Sequence, residues 1–175
     1  MVTTHRLTSG EPFPDITLPA TDGSQITLGE TGWRALFIVR GAHCRVCRSY
    51  LGQLEKKRTA WEARGIDLLV ASADPVAKSR EFMLRAGYHG RAVCELDVPA
   101  MQALGIWMTG PDQSELDYVH PEPGFFLIDP DGNVAAAEVA TMPAVRPDLE
   151  WLDKMLSYIV ENDIRPRYGR YEVVA

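Results

Sequence analysis

Five apolar residues, Ala35 to Val39, run straight into Arg40-Gly41-Ala42-His43-Cys44-Arg45-Val46-Cys47-Arg48, and no other stretch constrains the chain as much. An unbroken apolar run suits a strand covered on both faces. The residues after it read as a helix, so the two cysteines sit where a strand hands over to a helix. In a Cys-x-x-Cys unit that opens a helix, the first sulfur lies beside backbone N–H groups with no helical partner and beside the positive end of the helix dipole. Both favour thiolate over thiol. The second sulfur lies one turn further in, close enough to form a disulfide with the first.

Local charge points the same way. Between Thr31 and Leu54 there is no Asp or Glu, while Arg34, Arg40, Arg45 and Arg48 are present, in a chain of net charge -6. The thiols are therefore expected in a cationic island. If the pKa of the reactive cysteine falls from about 8.5 to about 6.5, its thiolate fraction at pH 7 rises from roughly 3% to roughly 75%. Intrinsic nucleophilicity falls with pKa at a Brønsted slope near ~0.4 to 0.5, which takes back roughly tenfold of that ~25-fold gain. Acidity alone thus gives a few-fold; positioning and a good leaving thiolate have to supply the rest.

Two other uses of the pair compete. Cys-x-x-Cys is also half of a structural zinc site, but the further ligands such a site needs would come from Cys94, His5, His89 and His120, which are scattered without a second paired motif. Two inert buried cysteines would be expected in apolar surroundings rather than among arginines. For Cys94, in the short apolar run Ala92 to Leu96, a small buried hydrophobe is the ordinary reading, with a distant resolving thiol as its alternative.

Length and composition set outer bounds. The 175 residues fit one domain, 1–175, able to bury a proper core, with 163–175 (Arg165, Arg167, Tyr168, Arg170, Tyr171) expected as a solvated or loosely docked tail. No apolar run approaches the ~18 residues that span a bilayer, and residues 1–15 lack the apolar core of a signal peptide. A cytoplasmic location is therefore expected, where a disulfide is more often catalytic than structural. Three cysteines make no disulfide framework. The acidic balance argues against nucleic acid, because no basic face exists beyond the patch at the cysteines.

Along the chain, extended segments flank Asp22-Gly23 within residues 10–28, predicting an N-terminal β-hairpin. Leu51, Leu54 and Trp61 recur at helical spacing, and Gly65 stops that helix. Residues 66–71 read as a second buried strand, and residues 72–75 start a helix that Gly87 ends. Strand, helix, strand, helix implies parallel strands joined by right-handed crossovers. One or two helical turns follow over 98–104, then a polar loop over about 108–124, long enough to suggest a functional role. Residues 125–129 and 134–140 flank Pro130-Asp131-Gly132-Asn133 as a second hairpin. Leu149, Leu152, Met155, Leu156, Ile159 and Val160 form one apolar face of a last helix.

The order of elements, together with GEPFPDITLPATDGS (10–24), RGAHCRVCRSYLGQL (40–54) and EPGFFLIDPDGNV (122–134), resembles the AhpC/TSA, peroxiredoxin-like family of thioredoxin-fold proteins. PAVRPDLEWL (143–152) and RYGRYE (167–172) resemble the tail of a peroxiredoxin-like subgroup. The resemblance implies an α/β thioredoxin-like fold, with a central mixed β-sheet flanked by helices and the N-terminal hairpin as an extension. Laid on the peroxiredoxin pattern P-x-x-x-[TS]-x-x-C, Cys47 takes the peroxidatic cysteine, Cys44 the Thr or Ser, and Arg40 the Pro. The arginine that peroxiredoxins place before their late strand corresponds to Pro123. Thioredoxin-like disulfide reductases have a cis-proline in that slot, so a cis bond at Pro123 is expected, with backbone groups of Glu122 beside the sulfurs. His43 stands where relatives often carry Trp; it would tune the thiolate or stand by.

The implied activity is a thiol-dependent oxidoreductase that reduces hydroperoxides or disulfides through Cys44 and Cys47, with Arg40, Arg45 and Arg48 stabilising negative charge. It implies no cofactor beyond a redox-active disulfide, a thioredoxin-like or glutathione-type reductant, and a homodimer by analogy. In the peroxidase version Cys47 attacks first; in the disulfide-reductase version Cys44 does. A non-catalytic redox sensor and a metal-binding module are the alternatives from other classes.

Overall fold

The computed structural model describes residues 5–30 and 32–165. It opens with the expected hairpin, β1 (Thr17–Pro19) against β2 (Gln25–Thr27), antiparallel around a turn in which Asp22 Oδ1 accepts the Ser24 N–H. β3 (Arg34–Ile38) carries the apolar run and leads to α1 (Arg45–Ala63), β4 (Asp67–Ala71), α2 (Val76–Ala86) and β5 (Arg91–Val93). β3, β4 and β5 are parallel, as connections through helices allow. Gly87 closes α2 in the left-handed region at φ 66°, where a side chain would cost energy.

α3 (Val98–Ala103) comes next. The stretch expected as a loop is partly ordered: β6 (Met108–Thr109) and β7 (His120–Pro121) pair antiparallel around a turn of 3-10 helix. Two-residue strands, one holding a proline, carry too little alternation to be read from sequence. β8 (Gly124–Ile128) and β9 (Val134–Val139) form the second hairpin, and α4 (Leu149–Glu161) follows. The main sheet has the order β5-β4-β3-β8-β9 with β8 antiparallel to both neighbours, so it is mixed as expected.

Period-two alternation divides the core between the two faces of this sheet. Ala35, Phe37, Leu68, Val70, Phe125 and Leu127 point to one side, where α1, α2 and α4 cover them with Leu51, Leu54, Trp61, Phe82, Leu152 and Leu156. Leu36, Ile38, Leu69, Phe126 and Ile128 point to the other, under the N-terminal hairpin and α3. β3 is buried along its whole length, which places the segment leaving its end against both layers.

One polar clamp positions the site. Asp153 of α4 accepts Trp61 Nε1 and Arg64 Nη1, both at 2.8 Å, while the Tyr50 hydroxyl donates to the Pro147 carbonyl at 2.9 Å. Together they hold the segment before α4 over the start of α1. Of the expected loose tail, residues 166–175 lie outside the described part. Arg165 is docked: it pairs with Asp131 at 3.1 Å and lies over the Trp33 ring. Among the described residues, no helix is long and apolar enough to cross a membrane.

Candidate active site

Cys44 is the N-cap of α1, with extended backbone (φ -90°, ψ 107°), and its Sγ accepts the Cys47 N–H at 3.2 Å. A sulfur thus does what Ser, Thr, Asp or Asn does at most helix starts, satisfying one of the orphan N–H groups. The two thiols are free. The neighbouring Cys47 thiol is the largest cause that draws the Cys44 pKa down to about 6; the Cys47 N–H and the charges of Arg146 and Arg40 assist, and burial opposes them. Cys47 moves the opposite way, pushed up by the Cys44 thiol and then by burial. In this coupled pair the proton stays on Cys47 and the negative charge on Cys44. Cys44 keeps 5% of its surface open and Cys47 none, so reagents reach Cys44 first.

The arginines are sorted differently from the expectation. Arg34 lies at the far end of β3, buried, with Nη1 on the carbonyls of Thr27 and Leu28 and Nε on Asp67 at 2.7 Å. Five residues of strand at about 3.3 Å each separate it from the cysteine turn, so it is no part of the cationic island. Arg45 and Arg48 stand on exposed positions of α1. The guanidinium that reaches a sulfur is Arg146: its Nη2 donates to Cys47 Sγ at 2.9 Å, and its plane lies 5.1 Å from the Tyr50 ring. Sequence reasoning missed it, since Arg146 is 99 residues from Cys47. The signal available was its place in the quoted stretch PAVRPDLEWL, between a loop and a helix start.

Arg40, at the end of β3, points into a polar cluster built by β6 and β7. Its Nε donates to Glu122 Oε1 at 3.1 Å and its Nη2 meets His120 Nε2 at 3.1 Å, while Thr109 Oγ1 donates to the same Glu122 oxygen at 2.7 Å. The cluster is unsaturated: Glu122 Oε2, His120 Nδ1 and both ring nitrogens of His43 are buried without a hydrogen-bond partner. His43 and His120 pack edge to face, centroids 4.6 Å apart. Burial first, then the neighbouring His120 and Arg40, push His43 down to about 4, so it is neutral at physiological pH. His43 shares no hydrogen bond with either cysteine among those described; it lines the approach to the turn.

The cis bond expected at Pro123 is absent, because every described peptide is trans. The chain runs extended from β7 into β8, with the Glu122 N–H given to the Trp107 carbonyl, and a residue before proline is at ease in that conformation. Pro123 lines a small cavity with Tyr50, Pro147 and Arg146, the residue whose guanidinium reaches Cys47.

Asp74, read from sequence only as part of a helix start, shapes the turn itself. Fully buried, it accepts the Ala42 N–H at 2.7 Å and the Tyr118 hydroxyl at 2.5 Å, with Lys78 Nζ at 3.5 Å. Gly41 has φ 120°, and a Cβ there would lie 2.5 Å from Asp74 Oδ2. Cys94 is fully buried and its thiol is pushed up by burial, the state of an inert structural cysteine. Among the described residues no group of three or more His, Cys, Asp or Glu is arranged to hold a metal ion.

The site is thus a dithiol poised with one anion and one proton, a guanidinium on the inner sulfur and an unsaturated polar cluster beside the outer one. The AhpC/TSA family model matches residues 9–137. A cysteine-to-serine mutant of peroxiredoxin 6 from Arenicola marina superposes with a TM-score of 0.76 at 17% identity, covering 95% of this chain and 80% of that one. A peroxiredoxin-like protein from Aquifex aeolicus gives 0.75 at 16% identity, covering 89% of each chain. PrxQ from Xylella fastidiosa, also a cysteine-to-serine mutant, gives 0.72 at 16% identity over 91% of this chain and 99% of that one. At these identities the likeness establishes the thioredoxin-like fold. Among curated proteins none matches by sequence.

Proposed function

The chain belongs to the AhpC/TSA family, and from that premise we propose that it is a two-cysteine thiol oxidoreductase in which Cys44 attacks and Cys47 resolves. The observation that carries this reading is geometric: Cys44 is the N-cap of α1, its Sγ accepts the Cys47 N–H, and it alone of the two keeps exposed surface, with its pKa shifted down where that of Cys47 is shifted up. With a hydroperoxide, the Cys44 thiolate forms an S–O bond as the O–O bond breaks, and the alcohol or water leaves with a proton. Cys47 then attacks the sulfenic acid, an S–S bond forms, and water departs. With a disulfide, Cys44 forms the mixed disulfide and Cys47 releases the second thiol. Arg146 beside Cys47 stabilises the inner sulfur as it gives up its proton. The cycle needs no cofactor; an external thiol, thioredoxin-like or glutathione-type, returns the disulfide to the dithiol.

One observation favours a second reading, in which Cys47 attacks first. The Arg146 contact falls on Cys47, and the family pattern assigns that position the peroxidatic role. Single-cysteine variants separate the two. If Cys44 leads, Cys44→Ser loses reduction of both hydrogen peroxide and a small disulfide, whereas Cys47→Ser completes one half-turnover and stops with a sulfenic acid or mixed disulfide on Cys44. A sulfenic acid forming at the wild-type rate on Cys47 of Cys44→Ser would overturn the proposal. Oxidation without turnover under abundant reductant would instead make the pair a sensor.

A further inference from the structure

A cleft of about 270 Å³ opens beside the cysteine turn, lined by Ala42, His43 and Arg48 on one wall and by Lys78, Phe82 and Arg85 of α2 on the other. Its size is at the small end of small-molecule sites. Its charge is opposite to that of the chain: Arg48, Lys78 and Arg85 against Glu81, in a protein of net charge -6. Glu81 is already engaged by Arg85 and the buried Asp74 by Lys78, which leaves Arg48 to face the cleft with its charge uncompensated by those carboxylates. Arg48 also follows Cys44 by four residues, its N–H bonded to the Cys44 carbonyl, and His43, the residue before Cys44, lines the same cleft. The cleft thus adjoins the residue that carries the outer sulfur, without being lined by Cys44 itself. Phe82 gives the floor an apolar strip for a short carbon chain.

We infer that this cleft binds the carboxylate of a small acidic thiol or disulfide and seats its sulfur at Cys44. The inference rests on the reading that Cys44 is the attacking thiolate, and it adds the chemical class of the molecule exchanged there. In the oxidising direction, Cys44 bonds one sulfur of RS–SR, the S–S bond breaks, and RS⁻ leaves and takes a proton. Cys47 then loses its proton and attacks Cys44, releasing the second RS⁻. Two electrons pass from the protein dithiol to the substrate, and two RSH depart. In the reducing direction an acidic thiol performs the reverse on the Cys44–Cys47 disulfide. The site serves either source, and the two directions are tested apart.

Three disulfides of nearly equal length differ only in end groups: dithiodipropionate is anionic, hydroxyethyl disulfide neutral and cystamine cationic. Reduced protein is mixed with each under single-turnover conditions, and the Cys44 adduct is followed by mass spectrometry. The readout is the ratio of the anionic to the cationic rate, because a change in thiolate pKa or in folding moves both rates together and cancels. At low ionic strength the expected ratio is roughly tenfold or more, falling toward one as salt screens the cleft. The double variant Arg48→Glu, Arg85→Glu should lower the ratio at least tenfold, whereas Lys154→Glu, an exposed charge reversal on α4, should leave it unchanged. A ratio within twofold of one both here and in the thiol direction below, or a double variant no different from Lys154→Glu in the direction that shows a preference, overturns the cleft. The neutral disulfide reports on the underlying reading: if it leaves Cys44 unmodified, the attacking role of Cys44 fails, whatever the ratio. Repeating the comparison on peroxide-oxidised protein with mercaptopropionate and cysteamine shows whether the acidic partner is the reductant; a preference seen in only one direction assigns the source, and a preference in neither overturns the site.

Discussion

An arginine opens β3 and another follows two residues after its end, and the two are opposites. Arg34 is buried and bonded to two backbone carbonyls, Asp67 and Glu30, so that each nitrogen of its guanidinium has a partner. Arg40 meets Glu122 and His120, yet each of those partners keeps a buried atom with nothing to bond. Buried polar groups are satisfied almost everywhere in folded proteins. The Arg34 end therefore has a partner on every guanidinium nitrogen, whereas the Arg40 end combines its ion pair with buried polar atoms that make no bond within the protein. Sequence alone cannot draw this distinction, since both arginines flank the same apolar run.

The comparison is most exposed to failure at Arg34. Replacing it with Met takes the guanidinium from the Thr27 and Leu28 carbonyls, of which Thr27 keeps only a long bond from the Glu30 N–H, and weakens the anchoring of Asp67, which should cost about 3 kcal/mol, a drop of roughly 6–12 °C in Tm. Alkylation of Cys44 at pH 7 should keep its rate; a rate altered more than about twofold would show that the two ends are coupled. Arg146→Met keeps the stem against Tyr50 and removes the donor on Cys47. Its folding should survive, while the Cys44 mixed disulfide persists about tenfold longer in stopped-flow measurements, the equivalent of about 1.4 kcal/mol on the resolving step. An unchanged lifetime would confine Arg146 to packing.

Smaller effects sharpen the contrast. Alkylation of wild-type Cys44 should be half-maximal near pH 6 and level above it, because the thiolate fraction rises with pH and is complete early. In Cys47→Ala the midpoint should move upward, since the neighbouring Cys47 thiol is the largest cause of the depression. Glu122→Gln is the mildest test. It should change stability by less than about 1 kcal/mol, because one carboxylate oxygen already lacks a partner, and it should move the Cys44 midpoint slightly down as the Arg40 charge acts unshared. A loss as large as that of Arg34→Met would mean that the Arg40 end is as structural as the other.

Much of the fold was legible because its signals are local. The apolar run of β3, the stripe of α1 and the turn residues between β8 and β9 each follow from spacing that survives without knowledge of neighbours. The cysteine pair was legible for the same reason. What escaped was whatever depends on contacts across long separations: Arg146 reaching Cys47, Tyr118 and Asp74 fixing the turn, and the β6–β7 ladder that gathers His120 and Glu122. The arginine count misled in part, because one-dimensional proximity placed Arg34 near sulfurs from which a strand's length removes it.

Gly41 sits where a carboxylate occupies the space of its missing side chain. Any other residue there would have to evict Asp74, and with it the ties to Ala42 and Tyr118, so the cysteine turn has one position at which a side chain has no room. A lineage altering this protein's chemistry would have to do so around that fixed point, by exchanging the residues that face the sulfurs rather than by rebuilding the loop that presents them.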